Sequence, residues 1–116
     1  FCFLAKSLEQ TDTKLQLELI EITTQMFPIF HRNFINGYNR KVKGIVKLFD
    51  LISRKPVNRH MPWWSLPETM RAALGCYKIV QNKADRSFCM KAYSLCHNSL
   101  FNNYIKNKNL YILLYL

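Results

Sequence analysis

Two adjacent tryptophans and an acid set the chemistry this chain could do: Trp63, Trp64 and, four residues beyond the second, Glu68. The run Trp63-Trp64-Ser65-Leu66-Pro67-Glu68 reads as the opening of a helix. With Ser65 as N-cap, Pro67 falls in the first turn, where a missing N–H costs nothing, and Glu68 takes the third helical position, from which it can reach back to the cap's amide. First-turn N–H groups and the helix dipole favour an anion there, and an indole beside it presents an apolar face with a polar edge. A polar ligand such as a sugar suits that combination. Most glutamates at such a position only cap a helix and most tryptophans only fill a core, so the spacing by itself leaves both uses open.

The elements that must position these residues are mainly helical. Apolar residues at 1, 4, 5 and 8 have the spacing of one helix face. Asp12 or Thr13 can cap a second helix through Leu15, Leu19, Ile22, Met26 and Phe27; Pro28 kinks or ends it, or the chain continues helically beyond it. Residues 36–60 read as a long loop holding one short strand at 45–50, the kind of connection that tends to carry function. A third helix is expected over 66–81, and a fourth, capped by Asp85, through Phe88, Cys89, Ala92, Leu95, Cys96, Leu100 and Tyr104.

Composition bounds the class. The chain has 116 residues, 49% hydrophobic and 14% aromatic, enough for one modest core and too apolar for disorder. No run approaches the roughly 20 apolar residues of a membrane span, and no signal-peptide pattern opens the chain. The start at Phe1 leads us to expect a piece of a longer protein. Cys2, Cys76, Cys89 and Cys96 form no C-x-x-C pair and fit buried thiols in a cytoplasmic setting better than a disulfide framework. Cys89, Cys96 and His97 share a helix, but tetrahedral zinc needs more ligands at tighter spacing. No Gly-rich phosphate loop is present, so no nucleotide cofactor is expected. The net charge of +10 invites a nucleic-acid partner. Its spread from Lys6 to Lys108, densest at Arg40-Lys41-Val42-Lys43, reads instead as solvated faces, with neither nucleic acid nor membrane expected.

Gly37-Tyr38, Gly44-Ile45-Val46, Asp50, Pro56-Val57-Asn58 and Pro62-Trp63-Trp64-Ser65-Leu66-Pro67-Glu68-Thr69-Met70-Arg71-Ala72-Ala73 together resemble the central part of the N-acylglucosamine 2-epimerase superfamily, whose members open a helix with W-W-x-x-x-E. The resemblance covers residues 1–106. It implies an all-α fold in which this chain is a partial (α/α)6 barrel of about two helical hairpins, with a long loop carrying a short β segment. It also implies 2-epimerisation or aldose–ketose isomerisation of N-acetylglucosamine/N-acetylmannosamine or mannose-type sugars without a cofactor, by a cytoplasmic parent enzyme that is a homodimer in many relatives. Such chemistry removes and returns a proton next to a carbonyl, which calls for histidine acid/base groups and donors to an enediolate-like intermediate.

The resemblance carries over only Glu68 as a catalytic residue, with Trp63 and Trp64 shaping a substrate pocket. The family's G-H-x-x-E histidine and its later histidine have no counterpart here, although Phe1-Cys2-Phe3-Leu4-Ala5 is similar to the run that follows G-H-x-x-E. The chain alone is therefore expected to be inactive. Met61-Pro62 also departs from relatives that place a histidine just before the tryptophans. His60 reads as an ordinary loop histidine, His31 has no assigned role, and Arg71 faces the pocket or pairs with Glu68. Residues 107–116 shift abruptly to Lys/Asn and then to a bare apolar run. That tail departs from the family and reads as the end of a truncated or mispredicted reading frame. From a different class, an α-helical repeat serving protein interaction without catalysis also fits stacked helical hairpins.

Overall fold

The computed structural model describes residues 13–58 and 60–106, so the expectations for 1–8, for Asp12 and for the tail 107–116 lie outside the described residues. Helix α1 (Thr13–Gly37) is the longest element. It buries Leu19, Thr23, Phe27, Phe34 and Gly37 along one face, spaced by three, four or seven residues as helix geometry demands. Pro28 does not end it. The proline is exposed, so the carbonyl that loses its helical donor can be taken up by water.

The long connection is more ordered than a loop with one strand. It folds into two antiparallel hairpins: β1 (Tyr38–Asn39) pairs with β2 (Gly44–Ile45), and β3 (Leu48–Asp50) with β4 (Lys55–Asn58), with a bulge between Leu48 and Phe49. The expected strand at 45–50 is thus divided between two sheets. Val46 N–H turns back to Gly37 O and Lys47 N–H to His60 O, which fixes the break. Both tight turns contain a non-glycine residue in the left-handed region, Lys43 (φ 61°) and Arg54 (φ 58°). Asn39 and Asp50 stabilise them by accepting turn amides on their side-chain oxygens.

Helices α2 (Ser65–Ile79) and α3 (Lys83–Ser99) form a tight αα-hairpin across Val80-Gln81-Asn82. Ala73 and Ala92 are fully buried, and their small side chains let the two helices approach closely. Arg86 staples the turn: its guanidinium donates to Tyr77 O (3.0 Å) and Val80 O (3.4 Å) and lies 4.0 Å over the Tyr77 ring. That satisfies carbonyls left over at the end of α2. α3 runs on into a π-helical segment (Leu100–Ile105), so the fourth helix is not α-helical to Tyr104 as expected. Its wider turn carries Asn103 to the carbonyls of Val42 and Lys43 and the Tyr104 hydroxyl to Met61 O (2.8 Å).

The core lies between α1 and the α2–α3 hairpin. Phe34, Tyr38, Leu66, Ala73, Ala92, Cys96 and Tyr104 form one buried cluster, and Phe27, Cys76, Val80 and Cys89 a second. Phe88 joins them, with its ring in edge contact with Phe27, Phe30 and Phe34. The described chain is therefore mostly helical with two small sheets. No helix among the described residues is long and apolar enough to cross a membrane.

Candidate functional site

The start of α2 is built differently from the expected capping box. Trp64, not Ser65, is the N-cap, and no side chain caps the helix. Ser65 is already helical and its hydroxyl turns back to donate to Pro62 O (2.6 Å), so it does not cap the Glu68 N–H. That amide goes to Trp64 O instead (3.3 Å). The physical cause is the short turn ahead of the helix: Ser65 N–H bonds Pro62 O and Leu66 N–H bonds Trp63 O, drawing the helix start one residue forward. Pro67 remains in the first turn, where its missing amide costs no helical bond.

This geometry separates the two tryptophans. Trp63 lies in the turn ahead of the helix and Trp64 at its N-cap, and the two indoles enter different surroundings. Trp63 packs against the Phe34–Tyr38–Leu66 cluster, and its Nε1 is buried without a hydrogen-bond partner. Trp64 is 45% exposed. Glu68, also exposed, follows it by four residues and therefore lies on the same side of the helix. Arg71 is exposed one turn further on. The structure brings Trp64 and Glu68 together on an open face and turns Trp63 inward. Leu66, fully buried, plugs the helix into the core between them, and the Tyr104 bond to Met61 O holds the approach to the turn.

The histidines sit elsewhere. His31 lies against Phe88, ring centroids 4.1 Å apart, and His97 contacts Tyr93 and Phe101, so both serve packing. His60 is exposed in the loop, its amide bonded to Asn58 Oδ1. Among the described residues no group of three or more His, Cys, Asp or Glu is placed to hold a metal ion. Cys76, Cys89 and Cys96 are buried. Burial pushes the Cys96 thiol up to about 12, so it stays protonated at neutral pH.

A second feature has no counterpart in the motifs of the sequence. A cleft of about 300 Å³ opens between the β1–β2 turn and α3, lined among others by Arg40, Lys43 and Lys91. The run Arg40-Lys41-Val42-Lys43 signals one wall of it. Lys91 comes from a distant segment, and only the fold unites them.

No protein-family model, curated protein or solved structure matches the chain.

Proposed function

We propose that the chain supplies helical hairpins and a sugar-facing surface to a carbohydrate 2-epimerase or aldose–ketose isomerase of the (α/α)6 type, acting on N-acetylglucosamine/N-acetylmannosamine or mannose-type sugars. One observation supports this reading above others: the half-exposed Trp64 indole and the exposed Glu68 carboxylate share one face at the start of α2. An indole can lie against the C–H face of a pyranose while a carboxylate beside it accepts from vicinal hydroxyls. In this reading Glu68 orients hydroxyls around the carbon that loses its proton. Trp64 sets the plane of the ring, and Trp63 shapes the wall behind it from within the core. The proton-transferring histidines come from outside the chain, so the chain alone binds sugar without turning it over. The same reading takes the parent enzyme as a cytoplasmic homodimer, a reducing setting that suits the protonated Cys96 thiol.

Saturation-transfer NMR with N-acetylmannosamine and N-acetylglucosamine tests the proposal. The unaltered chain gives sugar signals that Glu68→Gln and Trp64→Ala each reduce by about tenfold, as expected for loss of a charge-assisted hydrogen bond or of the stacking surface. Equal signals from the unaltered chain and both variants, or none from any, contradict it.

A second reading, a helical interaction module without catalysis, has its own observation. Leu15, Ile22, Met26 and Ile29 of α1 are exposed. At about 100° per residue they form one stripe, roughly a quarter turn from the face that packs on the core. Concentration-dependent self-association abolished by Ile22→Glu, with no sugar signal, favours that reading over the first.

A further inference from the structure

We propose that the cleft between the β1–β2 turn and α3 binds a small phosphate monoester of a hydroxylated carbon skeleton. This site is separate from the Trp64–Glu68 face and stands without it. Three cations, Arg40, Lys43 and Lys91, line the cleft, and among the described residues no carboxylate does. An uncompensated triple positive charge around one concavity is matched by a dianion, and guanidinium and ammonium groups both bind phosphate oxygens well. Asn98 adds amide donors at the same rim.

The basic turn is held in shape before any ligand arrives. Asn39 Oδ1 accepts from Lys41 N–H (2.9 Å) and Val42 N–H (3.0 Å), and Asn39 O accepts from Lys43 N–H (2.7 Å). From the π-helical segment, Asn103 Nδ2 donates to Val42 O (3.1 Å) and Lys43 O (2.9 Å), clamping Lys43 in its left-handed conformation. A preorganised wall lowers the ordering cost of binding.

The floor of the cleft defines the rest of the ligand. Ser99 Oγ donates its single proton to Leu95 O (2.8 Å). The 2.8 Å bond between Tyr38 and Ser99 must then be donated by the Tyr38 hydroxyl. The protons of both hydroxyls are spent, so the floor offers the Tyr38 oxygen as an acceptor and suits a ligand hydroxyl rather than another anionic oxygen. A volume of about 300 Å³ lies at the small end of ligand sites, enough for a phosphorylated polyol or sugar.

Calorimetric titration of the full chain at low ionic strength tests the site with glycerol 3-phosphate, inorganic phosphate, glycerol and a single-stranded oligonucleotide as probes. Glycerol 3-phosphate binds at one-to-one stoichiometry and tighter than inorganic phosphate, while glycerol does not bind. Lys43→Gln and Lys91→Gln each weaken the phosphate ester about tenfold, and Lys47→Gln and Lys78→Gln, exposed lysines that do not line the cleft, leave it unchanged. Far-UV circular dichroism confirms that each variant is folded. The proposal is overturned by absence of glycerol 3-phosphate binding or by equal losses from all four lysine changes. It is overturned also by an oligonucleotide whose affinity rises with length and exceeds that of the ester, the behaviour of a general polyanion surface.

Discussion

Asn82 bears the start of α3 on one side-chain oxygen. Its Oδ1 accepts from Ala84 N–H (2.8 Å) and Asp85 N–H (3.3 Å) while its backbone stays extended. Asp85 was the expected cap, and the structure moves it three residues into the helix, where its charge favours the dipole without closing an orphan amide. Both residue types cap well, so composition alone cannot choose between them; the extended backbone at 82 decides it. Asn82→Ala lowers the unfolding free energy by about 1 kcal/mol in urea denaturation, and Asp85→Ala by less, about 0.5 kcal/mol. The reverse order would return the cap to Asp85. Ser65 has the same lesson: a serine three residues ahead of a glutamate satisfies the capping pattern, yet its hydroxyl is drawn backwards to Pro62 O by the preceding turn.

At the scale of elements, the helices were readable from apolar residues at helical spacing, but the buried face of α1 was only partly so. Of Leu15, Leu19, Ile22, Met26 and Phe27 the core takes Leu19 and Phe27, while Leu15, Ile22 and Met26 are exposed and Phe34 completes the buried side. The hairpins were not readable. A tight hairpin is normally announced by glycine or asparagine at its left-handed position, and here Lys43 and Arg54 occupy those positions. The π-helical end of α3 was equally hidden, because the bonds that favour it, from Asn103 and Tyr104, reach segments some 40 to 60 residues away.

The β3–β4 turn has a measurable signature. The Ser53 hydroxyl and the Ile52 amide, bonded to Asp50, hold its carboxyl below its ordinary value of 3.8. A carboxyl depressed on folding contributes stability that is present above the unfolded value and is lost as pH falls through the folded one. Amide exchange in Lys55–Asn58 therefore quickens relative to the helices as pH drops below 3.8, and Asp50→Asn removes that pH dependence. Exchange in β4 that follows the helices at every pH contradicts the assignment.

Across the whole molecule, the candidate sugar face was half legible. Trp64 and Glu68 are four apart, and the sequence alone puts them on one side of a helix. Trp63 was grouped with them by adjacency, but it lies in the turn ahead of the helix, and the core takes its indole. Of the basic cleft only the wall at Arg40 and Lys43 was signalled, because Lys91 on the other side comes from a distant segment. A net charge of +10 spread along the chain gives no hint of where the fold gathers it.

The central claim is that the Trp64–Glu68 face meets a sugar, and amide and indole NMR of the labelled chain with N-acetylmannosamine tests it most directly. Saturable shifts are expected at the Trp64 indole N–H and the Glu68 amide, with the buried Trp63 indole N–H unmoved and no turnover of the sugar. A silent Trp64, or shifts confined to α1 or scattered without saturation, would contradict it.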